Sequence, residues 1–192
     1  MRTRSIFFAL AGFVGLLVAV FCFRVQRGES YKDSEQADLS MVSAIKGIEK
    51  SGGHIEVFKE GRPISIAFSH DSAPSSALSS HFASFEGLEC LMFIDVEWID
   101  SELLRAVCEI QSLNTLDLYG SKFEPSVLQE LSDHQSLEIL ILVETSVQEN
   151  DLEFLSSLPC LKKVDLTGVV LSKEFVVELT SELAGREVDV LF

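Results

Sequence analysis

The fold of this 192-residue chain is decided by three segments of equal length: LNTLDLYGSKFEPSVLQELSDHQS (113–136), LEILILVETSVQENDLEFLSSLPC (137–160) and LKKVDLTGVVLSKEFVVELTSELA (161–184). When they are aligned on their first leucine, the sequence repeats with a period of 24 residues. Apolar residues recur at repeat positions 1, 4, 6, 11, 16 and 19. A fixed period of this size indicates stacked structural units, none of which buries its apolar residues alone.

The spacing of the apolar positions predicts a strand followed by a helix in each unit. Positions 4 and 6 are two residues apart, so their side chains share one face of a short strand. Positions 16 and 19 are three residues apart, so they share one face of a helix. The sequence therefore predicts an α/β solenoid, with parallel strands on its concave side and helices on its convex side.

The repeats are predicted to extend over 63–187. A 25-residue copy begins at Leu88 and a degenerate first copy begins near Pro63, which makes about five units. Before them, 40–62 is predicted to form a capping helix and the first strand of a hairpin. After them, 188–192 alternates apolar and polar residues, which predicts a closing strand.

A hydrophobic segment precedes this repetitive body. Ile6–Phe23 contains 18 residues without a charge. As a helix this segment is about 27 Å long, close to the hydrocarbon thickness of a bilayer. We therefore predict a single-pass membrane anchor in residues 1–27 and a polar linker in residues 28–39. A cleaved signal peptide and a lipoprotein signal remain alternatives, although the bulky residues before and after Cys22 suit neither.

The charge distribution divides the chain into two parts. Residues 1–32 contain five basic residues against one acidic residue, a net charge of +4, and 33–192 carries -19, which together give the total of -15. A basic start before an acidic body is typical of a membrane address followed by a solvated domain. Two arginines before the anchor favour a cytoplasmic N-terminus, which would place the body outside the cytoplasm. The acidic body also excludes a protein that binds nucleic acid by neutralising phosphates.

Motifs that signal catalysis are absent from the sequence. It contains no G-x-G-x-x-G, G-x-x-x-x-G-K-[ST], H-E-x-x-H or C-x-x-C pattern. The histidines lie in separate segments without metal-ligand spacing and are predicted to be surface residues: His54, His70, His81 and His134. The cysteines of the body are predicted to be small, mostly buried apolar residues: Cys90, Cys108 and Cys160. We therefore expect no enzymatic activity, no metal, no cofactor and no small-molecule substrate.

The pattern L-x-x-L-x-L, followed by a turn, an apolar residue and a helix, resembles the leucine-rich repeat family over 63–187. Many members place asparagine at position 9, whereas this chain has Val96, Ser121, Thr145 and Val169 there, which resembles the short bacterial type. The order of membrane segment, helix, hairpin and repeats is similar to membrane-anchored leucine-rich repeat proteins of planctomycetes. The resemblance implies a module that binds proteins.

Strand positions 3, 5 and 7 are predicted to point away from the core, and several of them are apolar. We name six of these residues the sheet patch: Met92, Ile94, Tyr119, Ile139, Ile141 and Val143. A polar rim is predicted around them: Asp117, Glu138, Glu144 and Lys163. Because contiguous exposed apolar patches usually mark binding surfaces, we expect a protein partner at this concave patch.

These observations predict a membrane-tethered, non-catalytic module for protein–protein interaction. Its partners are expected to be an unknown protein at the concave face and the membrane at Ile6–Phe23, with no nucleic acid. The alternative is a structural or self-associating envelope protein, in which the sheet patch pairs copies of the same chain.

Overall fold

A computed structural model describes four stretches of the chain: 39–60, 62–73, 78–85 and 87–192. The predicted anchor lies outside the described residues, as does the predicted linker apart from Leu39. Within the described residues, no helix is both long and apolar enough to cross a membrane.

The described chain alternates strands with helical segments. In order, its elements are α1 (Leu39–Lys50), β1 (His54–Lys59), β2 (Arg62–Ser69), α2 (Leu78–Phe82), β3 (Cys90–Ile94), α3 (Ser101–Cys108), β4 (Thr115–Asp117), a first 3₁₀ helix (Pro125–Asp133), β5 (Ile139–Ile141), a second 3₁₀ helix (Glu149–Ser157), β6 (Lys163–Asp165), α4 (Lys173–Ala184) and β7 (Asp189–Leu191).

The strands form one sheet whose spatial order follows the chain from β1 to β7. β1 pairs with β2 in antiparallel fashion, and every later pair is parallel. Each unit therefore adds one strand beside the strand of the preceding unit. The prediction of an α/β fold built on a parallel sheet is confirmed.

Rows of apolar side chains run across the inner face of the sheet. Leu91, Leu116, Leu140 and Val164 are in register on successive strands, and each is fully buried. They belong to one core with buried residues of the helical segments, such as Leu128 of the first 3₁₀ helix. Burying one such side chain contributes about 1.5–3 kcal/mol to stability, so these rows are a main source of the free energy of folding.

The helical segments pack against one another in chain order on the core side of the sheet. Two of them are 3₁₀ helices where the sequence predicted ordinary helices. Ser132, Ser156 and Ser157 each donate a hydroxyl hydrogen bond to the carbonyl three residues earlier, at 2.6–2.7 Å. Such side-chain bonds compete with the α-helical backbone pattern, which suits the tighter i to i+3 geometry.

The 25-residue unit accommodates its extra residue at Trp98. An isolated parallel bridge joins Ile99 to Phe123, so Ile99 occupies repeat position 11, although the eleventh residue counted from Leu88 is Trp98. The Trp98 ring instead packs edge-on against Phe68 and Phe93, with centroid distances of 5.6 and 5.7 Å. The extra residue thus closes an aromatic cluster at the N-terminal end of the sheet.

Candidate functional site

The outer face of the sheet lies opposite the leucine rows, because successive strand residues point to opposite faces. Three rows cross it in register. The first contains Cys90, Thr115, Ile139 and Lys163, and the second contains Met92, Asp117, Ile141 and Asp165. Backbone hydrogen bonds at the strand ends align Ile94, Tyr119 and Val143 in a third. The structure therefore brings the residues of the sheet patch together on β3 to β5 and the turns that follow β4 and β5.

The sheet patch is less exposed than the sequence suggested. Met92 and Val143 are buried, with exposed fractions of 8% and 6%. Ile94, Ile139 and Ile141 are half-buried, as is Tyr119. Neighbouring strands lie only about 4.8 Å apart, so large side chains in adjacent rows cover one another. A ligand on this face would contact mainly the four half-buried residues.

Asp117 does not lie at a rim, which corrects the sequence-based assignment. It occupies the middle row between Met92 and Ile141, and only 2% of it is exposed. Its Oδ1 accepts a hydrogen bond from the backbone N–H of Tyr119 at 2.9 Å. Burial raises the pKa of the Asp117 carboxyl to about 6, and the nearby charge of Asp165 adds to the rise. An acidic group whose burial costs folding free energy therefore lies inside the apolar patch.

The other predicted rim residues are placed around the sheet patch. Glu138 forms an ion pair with Lys162 at 2.6 Å, and both side chains are partly exposed, so the pair contributes little stability. Lys163 is in register with Ile139 on the neighbouring strand. Glu144 is exposed and follows directly after Val143.

Tyr119 connects the sheet patch to its acidic surroundings. Its hydroxyl donates a hydrogen bond to Oε2 of Glu144 at 3.3 Å. Burial raises the pKa of the Tyr119 phenol, and the charges of Glu144, Asp95 and Asp117 raise it further. Acidic groups of its own unit and of the two neighbouring units therefore act on this side chain.

The turn after each strand has a left-handed residue at repeat position 8. Glycine occupies this position at Gly120 (φ 63°) and Gly168 (φ 82°), whereas Asp95 and Glu144 adopt φ 55°. A side chain at Gly168 would meet Cγ of Glu144 at 3.2 Å, so the glycine leaves room for the acidic side chain of the preceding unit. Because the left-handed region disfavours residues other than glycine, two acidic residues are held beside the sheet patch at a conformational cost.

His134 is fully buried, so the prediction of a surface histidine is wrong at this residue. It follows the first 3₁₀ helix, where Ile110 and Leu158 follow the helical segments of the neighbouring units. Its Nδ1 accepts a weak hydrogen bond from the N–H of Ser136 at 3.3 Å, and its Nε2 has no hydrogen-bond partner among the described residues. Burial lowers the pKa of the imidazole. Among the described residues, no further side-chain hydrogen bond of His134 is present that would assign it a chemical role.

The cysteines are more exposed than predicted. Cys160 is exposed, while Cys90 and Cys108 are half-buried. Across the described residues, no group of three or more His, Cys, Asp and Glu side chains could hold a metal ion.

An open cleft of about 450 Å³ lies between two turns of the solenoid. It is lined by Val170 and the segment Thr145–Asn150. Glu149 in this segment accepts a hydrogen bond from the N–H of Ser172 at 2.7 Å, which fixes the acid in the structure. The cleft therefore offers no free reactive group, and the outer face of the sheet remains the candidate site.

Comparison with known proteins adds little to this geometry. No protein-family model matches the chain, and no curated protein matches it. The chain is similar to an internalin from Listeria monocytogenes of known crystal structure, with 16% identity and a TM-score of 0.35. The similarity covers 65% of this chain and 46% of the internalin chain, so this chain corresponds to about half of that protein. A TM-score of this size supports no inference, and the fold rests on the strand register and burial described above.

Proposed function

We propose that this protein is a membrane-tethered, non-catalytic module that binds a protein partner through the sheet patch. The observation that carries the proposal is the difference between adjacent strands on the outer face. β5 presents Ile139 and Ile141, whereas β6 presents Lys163 and Asp165 at the same register positions. Because the fold accepts charged residues at these positions of β6, it does not require apolar residues at the equivalent positions of β5. Half-exposed apolar side chains that folding does not require are typical of a binding surface.

A capture experiment tests this proposal directly. The full chain, in detergent extracts of native membranes, serves as bait beside the double variant Ile141→Asp, Tyr119→Asp. Val177→Asp is the matched control, since Val177 is an exposed apolar residue of α4, away from the sheet patch. We expect the wild-type chain and the control to capture a protein that the double variant does not capture. Equal retention by all three baits would show that the sheet patch is not the binding surface.

The membrane tether is a separate part of the proposal. It is supported by the uncharged length of Ile6–Phe23 and by the flanking basic residues. The full chain is expected to stay with membranes after alkaline carbonate extraction. If the body lies outside the cytoplasm, added protease will digest it in intact spheroplasts. Release by carbonate would exclude the tether, and protection from protease would place the body on the cytoplasmic side.

Self-association is the alternative function, and the mass of the detergent-solubilised full chain decides it. Pairing of copies through the sheet patch predicts a mass that rises with concentration and becomes constant in Ile141→Asp. A constant monomer mass in the wild-type chain would exclude this alternative.

A further inference from the structure

We propose that the partner presents a basic amphipathic segment to the outer face of the sheet, with one lysine or arginine side chain paired to Asp117. This inference rests on the proposed function and specifies the chemistry of the ligand. It assigns Asp117 as the anchor for a cation and the sheet patch as the contact for the apolar side chains of the segment.

Asp117 is a buried acid that forms no ion pair with a cation of the described residues. Only 2% of the residue is exposed, and one hydrogen bond from the backbone N–H of Tyr119 reaches its carboxyl. In the described part of the chain, no lysine, arginine or histidine forms an ion pair with it. Buried acidic groups in proteins are almost always paired. We infer that the ligand supplies the missing positive charge.

An equivalent acid, Asp165, has a different environment. Asp165 has the same position in the next repeat but one, and its Oδ1 accepts the same type of hydrogen bond from the N–H of Thr167 at 3.1 Å. Asp165 is half-exposed, so water solvates its charge. The hydrogen bond therefore explains why an aspartate fixes the turn at both positions. It does not explain why Asp117 is enclosed by Met92 and Ile141.

The outer face near Asp117 combines an aromatic side chain with further acidic groups. Tyr119 follows two residues later, its hydroxyl donates a hydrogen bond to Glu144 of the following unit, and the charge of Asp95 in the preceding unit also acts on its phenol. An aromatic face combined with carboxylates favours ammonium and guanidinium groups, through cation–π attraction and charge-assisted hydrogen bonds. Anionic segments would be repelled by the same groups. The net charge of -19 on 33–192 further accelerates encounters with basic partners.

A second copy of the chain is a poor ligand for this face. A symmetric pair would bring two copies of the same acidic groups, Asp117, Glu144 and Asp95, into one interface, and each copy would add Lys163 beside them. Like charges opposed across an interface are unfavourable, and burial would strengthen the repulsion. The face is therefore complementary to a basic partner and not to itself.

Selection from a displayed dodecapeptide library tests the inference. The full chain in detergent micelles is the target, and the Ile141→Asp variant serves for counter-selection. We expect the enriched peptides to place a lysine or arginine among apolar residues. Their affinity should fall about tenfold or more in Asp117→Asn. It should fall less than about threefold in the matched control Asp165→Asn, which removes the same charge from a half-exposed position.

Each outcome bears on one of the two proposals. Enriched peptides that are neutral or acidic would overturn the pairing with Asp117, as would equal affinities for the wild-type chain and Asp117→Asn. In both cases, the proposed function would still be supported if the binding of the peptides depends on Ile141. If no peptide depends on Ile141, the proposed function fails together with the inference. Thermal melting of Asp117→Asn shows whether that variant remains folded.

Discussion

The two faces of the sheet follow different rules. On the inner face, residue type is repeated from unit to unit, as in the row Leu91, Leu116, Leu140 and Val164. On the outer face, the row beside it changes from Met92 to Asp117, Ile141 and Asp165. Both rows belong to the same strands and share the same backbone, so the difference cannot arise from strand geometry.

The comparison shows where the sequence is constrained by folding and where it is free for another purpose. Inner side chains fill a continuous core, and each repeat must supply the same shape to its neighbours. Outer side chains have no such requirement, because isoleucine and aspartate both occur in the same row. Departures from polar residues on the outer face therefore point to function, and the following variants test that division.

The largest expected effect is on the inner face. Leu140→Ala removes a fully buried side chain from the middle of the leucine row and should lower the free energy of unfolding by about 2–5 kcal/mol. The matched outer variant, Ile141→Ala, removes a half-buried side chain and should cost about 1 kcal/mol. Urea unfolding of the full chain in detergent, followed by circular dichroism, measures both values. Equal losses would show that the outer face supports the fold as much as the core does.

The second effect has the opposite sign. Asp117→Asn keeps an oxygen for the Tyr119 N–H and removes a buried charge, so it should stabilise the protein at pH 7. The rise of the Asp117 pKa from 3.8 to about 6 corresponds to about 3 kcal/mol, which sets the upper limit of the gain. A variant that is more stable but binds its ligand less tightly would identify a residue retained for function.

The stability of the wild-type chain is expected to depend on pH through the Asp117 carboxyl. The folded pKa of Asp117 is raised, so the folded state binds the proton more tightly than the unfolded state. The wild-type chain therefore recovers stability as the pH falls from about 6 to about 4, and the difference from Asp117→Asn shrinks over that range. A difference that stays constant with pH would mean that Asp117 is not the group that titrates.

His134 gives a third effect inside the core. His134→Leu replaces a buried imidazole with the residue type at the equivalent Leu158, and it removes the unpartnered Nε2. An unsatisfied buried polar group costs about 1–3 kcal/mol, so the variant should gain stability of this size at neutral pH.

Acid should enlarge the gain at His134. Burial lowers the folded pKa of the imidazole, so the unfolded state binds more protons below about pH 6.5. The wild-type chain loses stability as the pH falls below that value, and His134→Leu does not lose this contribution. Unfolding curves at pH 7.5 and pH 5.5 measure the change, and a smaller difference at pH 5.5 would contradict the assignment.

The sequence predicted the inner face well because apolar residues recur at the same repeat positions in several units. Every first-position leucine from Leu88 to Leu161 is buried, as the alignment predicted. The errors lie where residue type was given more weight than repeat position. His134 was assigned to the surface because it is polar, although its equivalents Ile110 and Leu158 are buried. Comparison across the aligned units would have indicated its burial.

The outer face was harder to predict because side-chain crowding is not a property of one strand. Alternation predicted that the sheet patch points away from the core, yet Met92 and Val143 are buried in the structure. Asp117 was assigned to a rim because acids are normally solvated, whereas the register places it between Met92 and Ile141. The aligned row contained this signal, but the extent of burial depends on the sizes of all adjacent side chains.

The smallest expected effect concerns the strained turn beside the sheet patch. Glu144 adopts φ 55° at a position where two other units have glycine. The left-handed conformation costs a residue other than glycine about 1–2 kcal/mol, and glycine itself costs roughly 0.5–1 kcal/mol through the unfolded chain. Glu144→Gly should therefore stabilise the protein by roughly 0.5–1 kcal/mol, because the exposed hydrogen bond from Tyr119 offsets little of the gain.

Asp95→Gly is the matched control for Glu144→Gly, and urea unfolding compares the two. Aspartate tolerates the left-handed region better than glutamate does, so Asp95→Gly should gain less stability. If Glu144→Gly lowers stability instead, the Glu144 side chain supports the turn through its packing near Gly168. If Glu144→Gly is more stable but binds the selected peptides with lower affinity, then the strained backbone beside Tyr119 contributes to ligand binding. The buried charge of Asp117 and the left-handed backbone of Glu144 would then be two destabilising features of the same binding surface.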